Sequence, residues 1–240
     1  MDINALETKE EFLEYIAQKE LEGHLNFMQE QQRKVENYKT LNRHARKGQI
    51  LFTGSSLMEQ FPICDFCQCL PLDKKVYNRG IGGYTTDDFL REIDAMLFDL
   101  EPSKVFINIG TNDMREREDG TDWKEHLLGN YKEILKKVKE RLPEAELYLM
   151  AYYPVNTTLP HGVHPDDPFV KVRTLANLAM INEEVEKLAK AHGYHFIDVN
   201  DGLADENGNL KEEFTIEGVH MIAAGYEIVF ENIKGLLQNI

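Results

Sequence analysis

The chain is predicted to fold as a doubly wound α/β domain around a parallel sheet, and three observations lead there. Short runs rich in Val, Ile, Leu, Phe and Tyr alternate with helical patterns of ten or more residues, the signature of βαβ units. An apolar fraction of 42% over 240 residues supports one full-sized core with an appendage. The residues that could carry chemistry fall just beyond the strand-like runs, where open α/β sheets bind ligands.

The first element is a helical pattern from about Lys9 to Arg46, with apolar positions at Phe12, Leu13, Ile16, Leu21, Leu25, Met28, Val35, Tyr38 and Leu41. Gly23 weakens its middle, so two helices could meet there. This stretch reads as an arm packed against the main domain, and its use as a dimerisation element stays open. Residues 1–47 are therefore expected to form an N-terminal helical extension and residues 48–240 the main domain. Five strands follow at Gln49–Thr53, Lys75–Asn78, Lys104–Ile109, Glu146–Ala151 and Tyr194–Ile197. Helices are expected at about Thr86–Phe98, Trp123–Leu142, Phe169–His192 and Ala223–Leu237. The long segment Tyr152–Pro168 contains Pro154, Pro160, Pro165 and Pro168 with His161 and His164. A loop of that length after a strand usually lines a site.

Composition narrows the partners. A net charge of −15 argues against nucleic acid and against anionic membrane surfaces. The start, Met1-Asp2-Ile3-Asn4-Ala5-Leu6-Glu7, has no basic region and no apolar run, and no stretch approaches a membrane span, so the cytoplasm is the expected location. Cys64, Cys67 and Cys69 lie in Cys-Asp-Phe-Cys-Gln-Cys. Three cysteines without a second pair suit neither a disulfide framework nor a four-ligand zinc site, so they read as a reduced surface loop. His161 and His164 with Asp166 and Asp167 lack a second ligand segment, and no metal is expected. The acidic pairs Asp87-Asp88 and Glu183-Glu184 read as solvated helix faces.

Four segments remain. Gly54-Ser55-Ser56-Leu57 places a serine in a strand-to-helix turn, where glycine suits the tight backbone and the serine amide is free for an anion. Glu217 and His220 are three apart, so on one helical turn the carboxylate could hold Nδ1 and leave Nε2 to take the serine proton. Asp198, ending the fifth strand, is an alternative orienter. Tetrahedral intermediates need donors at the oxyanion, each typically worth about 2.7–4 kcal/mol of barrier. The amides of Ser56 and Gly83 and the side-chain amide of Asn112 could supply three. Gly80-Ile81-Gly82-Gly83 lacks nucleotide-binding spacing, and Asp113 is expected to anchor the turn carrying Asn112.

In this order Ser56, Gly83, Asn112 and His220 resemble the four residues that name the SGNH (GDSL-type) hydrolase superfamily. The likeness spans about Gln49 to Gln238 and leaves the arm outside. It implies a three-layer α/β/α sandwich of flavodoxin-like type with a five-stranded parallel sheet, and ester cleavage without metal or cofactor. It also implies Ser56 as nucleophile, His220 as base, and Ser56, Gly83 and Asn112 as the oxyanion hole. Two residues depart from the pattern: Ser55 and Glu217 stand where the family usually has aspartate. The expected function is a serine-dependent carboxylic ester hydrolase acting on a small acyl group such as acetyl through an acyl-enzyme. Its partner would be a small-molecule ester. An acyltransferase on the same scaffold and an inactive ligand-binding homologue are the alternatives, and a homodimer through the arm or the catalytic domain stays open.

Overall fold

The structure, a computed structural model, describes residues 9–238. Five strands form one parallel sheet in the order β2-β1-β3-β4-β5: β1 Ile50–Gly54, β2 Val76–Gly80, β3 Lys104–Asn108, β4 Glu146–Met150 and β5 His195–Ile197. Each expected strand is present, with no end shifted by more than two residues.

Side chains alternate along the strands and both faces are buried, as a parallel sheet requires. Leu51, Val105, Ile107, Leu147 and Leu149 enter one core, with Val35, Phe89, Ile93, Leu127, Ile134, Leu178 and Val185 from the helices over that face. Those helices are α1 Lys9–Asn42, α4 Thr86–Arg91, α5 Ile93–Met96, α6 Trp123–Arg141 and α7 Leu175–His192. Ile50, Phe52, Phe106, Tyr148 and Met150 enter the other core. There they meet α2 Ser56–Glu59, α3 Ile63–Phe66 and α8 Ala223–Gln238. Helices on both faces of a parallel sheet make the three-layer α/β/α sandwich.

Register explains why distant segments meet. Gly54 at the end of β1 lies opposite both Gly80 of β2 and Asn108 of β3. The chain therefore leaves three adjacent strands at one level, and the loops that follow them share one edge. The strand order also turns at β1: the chain moves to β2 on one side and then to β3 on the other, which opens a crevice there.

Four expectations need correction. The arm is one helix, because Gly23 is exposed and touches nothing. A single glycine costs about 1 kcal/mol, and a Lys19–Glu22 pair at 2.6 Å lies on the turn before it. Only the C-terminal part of this helix packs: Val35 is buried and Tyr38 half-buried, whereas Phe12, Leu13, Ile16, Leu21, Leu25, Met28 and Leu41 are exposed. The helix expected over Thr86–Phe98 breaks at Glu92 into α4 and α5. The helix expected from Phe169 starts at Leu175, where Thr174 caps it by accepting the Asn177 amide proton. The cysteine segment is helical, in α3 and the following turn. Cys67 is buried, with its thiol pushed up to about 12 by burial, and Cys64 and Cys69 are exposed. No helix among the described residues is long and apolar enough to cross a membrane.

Candidate active site

Ser56 is the first residue of α2, two residues beyond the end of β1. The turn depends on Gly54, whose φ is +148° and whose missing Cβ would lie 1.9 Å from the Asn108 carbonyl oxygen. No other residue fits there. The Ser55 amide donates to that same carbonyl at 3.2 Å. The Ser55 hydroxyl is fully buried and has no hydrogen-bond partner among the described residues, so the backbone alone holds the turn.

The segment after β2 is clamped from two sides. Glu59 of α2 accepts the Gly82 amide proton at 2.6 Å and pairs with Lys34 of α1 at 2.6 Å. Gln31 and Tyr38 of α1 donate to the carbonyls of Gly82 and Gly80 at 2.7 and 2.6 Å. These bonds occupy the neighbours of Gly83, which itself turns with φ +77°. Among the described residues the Gly83 and Ser56 amides have no hydrogen-bond partner.

Asn112 sits in a single 3-10 turn, Thr111–Asp113, directly after β3. Its Nδ2 donates one proton to the Tyr84 carbonyl at 2.9 Å, and its Oδ1 accepts from Arg173 at 3.1 Å. One Nδ2 proton is left over. Asp113 anchors the turn as expected by accepting the Thr86 amide and hydroxyl protons. Burial pushes its carboxyl up to about 6 against the effect of those bonds.

Glu217 and His220 do meet, although not on a helical turn. They occupy a bend closed by an antiparallel bridge between Thr215 and Met221, two residues ahead of α8. Glu217 Oε1 accepts the His220 backbone proton at 2.8 Å and is also hydrogen-bonded to Nδ1 of the ring. Nε2 of His220 lies 2.9 Å from Ser56 Oγ across 164 residues of chain. The Thr215 hydroxyl donates to the His220 carbonyl at 2.6 Å and accepts the Gly218 amide proton at 2.9 Å. Asp198 is exposed and accepts the Asn200 amide proton at 3.0 Å, and it has no contact with His220.

The Pro-rich loop divides its work. Asn156 and Val163 donate backbone protons to the carbonyls of Gly218 and Glu217 at 2.7 and 2.8 Å, which buttresses the histidine bend. Its far end, Asp166–Pro168, lines a pocket of about 810 Å³ together with His24, Phe27 and Met28 of α1, Arg115, and Phe169. Gly83 and Asn112 line the same pocket. His161 and His164 are exposed. Asp87 and Asp88 are engaged rather than merely solvated: Asp87 bonds His126 at 2.7 Å, and Asp88 completes a capping box with Thr85. Asp87, Asp113 and His126 are the one group of described residues with metal-ligand spacing, and protein hydrogen bonds already use all three.

Several residues here were missed at the level of sequence. The Thr85-x-x-Asp88 spacing was a legible capping signal. Glu59, Phe27 and Arg173 carried none, because only tertiary packing brings them to the site.

The arrangement can accept a proton from a serine hydroxyl, hold the resulting imidazolium against a carboxylate, and offer donors to an anion beside the serine. Comparisons with known proteins identify the family. A family model described as GDSL-like Lipase/Acylhydrolase family matches residues 64–228, which include Gly83, Asn112, Glu217 and His220 and begin downstream of Ser56. The platelet-activating factor acetylhydrolase IB subunit alpha1 of Bos taurus is 26% identical over 194 residues, covering 80% of this chain and 76% of that protein. A Streptococcus pneumonia structure provisionally described as a platelet activating factor is 30% identical with a TM-score of 0.78, covering 93% of this chain and 99% of that one. An acetyl-xylooligosaccharide esterase from Geobacillus, at 16% identity and a TM-score of 0.58, shares the fold over 80% of this chain and 95% of its own.

Proposed function

The chain belongs to the GDSL-like lipase/acylhydrolase family and is an ester hydrolase, and we propose that it works through a covalent acyl-enzyme on Ser56. The observation that carries this reading is the continuous line from the Glu217 carboxylate through His220 to Ser56 Oγ, with Nε2 and Oγ 2.9 Å apart.

In the proposed first half-reaction, Nε2 takes the hydroxyl proton as Oγ attacks the ester carbonyl carbon. The carbonyl π electrons move to oxygen, where the Ser56 and Gly83 amides and the spare Asn112 Nδ2 proton receive them. The imidazolium, held by Glu217, returns its proton to the departing alcohol as the C–O bond breaks. In the second half-reaction water enters, His220 takes its proton, and hydroxide attacks the acyl carbon. The tetrahedral intermediate then collapses with breakage of the C–Oγ bond, the His220 proton goes to the departing Oγ and restores Ser56, and the carboxylic acid leaves. The whole sequence uses only side chains and backbone amides of this chain.

A small acyl group, acetyl foremost, fits this reading. Two of the relatives carry acetyl esters or acetylhydrolase activity in their names. The pocket beside Gly83 and Asn112 is large enough to hold the rest of the ester, and α1 supplies His24, Phe27 and Met28 to its wall. The N-terminal extension is thus proposed to shape the substrate site that the catalytic domain provides.

The test is hydrolysis of p-nitrophenyl acetate by the unaltered protein and by Ser56→Ala. The substitution is expected to reduce the rate to that of the uncatalysed reaction plus residual binding effects. Equal rates would end the serine mechanism.

A further inference from the structure

Arg173 is 2% exposed, and among the described residues it forms no ion pair with a carboxylate. A guanidinium withdrawn from water without a paired anion is costly. Its pKa is pulled down to about 10 by that burial, with the nearby Asp113 charge acting in the opposite direction. Its Nη2 donates to the Thr111 carbonyl at 2.7 Å and to Asn112 Oδ1 at 3.1 Å. The guanidinium also lies over the Phe169 ring, 4.3 Å from its centroid, and its Nε has no partner. So a buried charge sits directly behind the side chain proposed to receive the oxyanion.

The neighbours of Asn112 leave its amide one orientation. With Oδ1 toward Arg173 and Nδ2 toward the Tyr84 carbonyl, each donor meets an acceptor. A flipped amide would set its NH₂ against the guanidinium and its oxygen against a carbonyl, so both contacts would be repulsive. Donation into Oδ1 further draws electron density from the amide nitrogen and makes the remaining Nδ2 proton a stronger donor.

We propose that Arg173 is a positioning residue for ester hydrolysis: it locks the Asn112 amide with its free proton toward the oxyanion and holds a positive charge behind it. This rests on the assignment of Asn112 to the oxyanion hole. A role of this kind acts in the transition state, so it should appear in kcat with KM nearly unchanged.

The experiment is a double-mutant cycle with p-nitrophenyl acetate, using Arg173→Met, Asn112→Ala and the pair, each checked for an intact thermal transition. Loss of an oxyanion donor typically costs about 10²–10³ in kcat. Asn112→Ala should fall in that range and Arg173→Met by about tenfold or more, with KM within about twofold. In the Asn112→Ala background, where only the charge can still act, Arg173→Met should cost several-fold less than in the unaltered protein. Full additivity, or an effect on KM alone, overturns the proposal. If Asn112→Ala is itself without effect, the proposal falls with it, whereas loss of activity in Ser56→Ala would still uphold the serine mechanism. Should Arg173→Met fail to fold, Arg173→Lys enters the same cycle, since it keeps the charge but not the planar donor. A structure of the unaltered protein with a boronate on Ser56 needs no variant. Nδ2 of Asn112 is expected on the boronate oxygen with Oδ1 still on Arg173, and the reverse orientation overturns the proposal.

Discussion

Replacing Glu217 by Gln removes one charge from the proposed relay and almost nothing else. Glu217 Oε1 serves both the His220 backbone proton and the ring Nδ1, so a glutamine with its oxygen in that place can still accept both. What is lost is the anion beside the imidazolium that forms as Ser56 attacks. The two side chains are 26% and 28% exposed, which places the pair between a protein interior and bulk water. At a contact distance of about 3 Å and an effective dielectric constant of about 40, Coulomb's law gives roughly 3 kcal/mol, or about two decades in rate. The corresponding charge removal in the serine-protease triad sets an upper limit near 10⁴-fold, because there the wrong tautomer is also enforced. The expected outcome is therefore a fall of roughly 10²–10⁴-fold in kcat for p-nitrophenyl acetate, with KM little changed. Asp198→Asn is the natural control. Asp198 is exposed and its carboxylate caps its own turn, so the rate should stay within about twofold. A Glu217→Gln enzyme within about threefold of the unaltered rate, or an equal loss in Asp198→Asn, would refute the assignment of Glu217.

Phe27→Ala should weaken binding of esters with bulky apolar groups more than that of p-nitrophenyl acetate, because Phe27 lines the pocket containing Gly83 and Asn112. A lost apolar contact of about 1–2 kcal/mol corresponds to a roughly 5–30-fold rise in KM for the bulky esters. Identical changes for all substrates would count against an arm-built wall. Asp113→Asn tests the buried carboxyl. Its folded pKa of about 6 lies above the ordinary 3.8, so the folded state binds more protons between these values and stability falls as pH rises through that window. Denaturant titrations should therefore show the asparagine variant gaining on the original by roughly 2 kcal/mol between pH 4 and pH 6. A difference independent of pH would show that the carboxyl is not held protonated. Ser55→Ala removes a buried hydroxyl that has no partner, so thermal stability should be kept or raised by up to about 1 kcal/mol. A loss of that size would mean the hydroxyl is bonded after all.

The fold and the candidate site residues were legible for different reasons. The strands were readable because apolar runs bounded by polar turns have few other uses, and their parallel order followed from the helices between them. Ser56, Gly83, Asn112 and His220 were readable because glycines and polar residues cluster where the chain leaves the sheet. Register, with Gly54 opposite Gly80 and Asn108, then brings the first three to one edge, and the bridged bend before α8 carries His220 to Ser56. The Glu217–His220 contact was anticipated with the wrong backbone: the pair meets in a bridged bend, since Gly218 and the Thr215 hydroxyl organise that segment instead of a helical turn. Gly23 was overweighted, because an exposed glycine in a long helix has only its own propensity cost. Arg173 and the arm-lined pocket left no local signal. An arginine five residues past a Pro- and Asp-rich stretch looks solvated, and only packing against Thr111, Asn112 and Phe169 gives it a task.

The central claim is that one hydroxyl, at position 56, is made nucleophilic by the imidazole at position 220. It is tested most directly by treating the protein with a fluorophosphonate and mapping the adduct by peptide mass spectrometry. The account predicts a single adduct, on Ser56, that is absent in Ser56→Ala and forms far more slowly in His220→Ala. Labelling of another residue with Ser56 unmodified, or an undiminished labelling rate in His220→Ala, would contradict it.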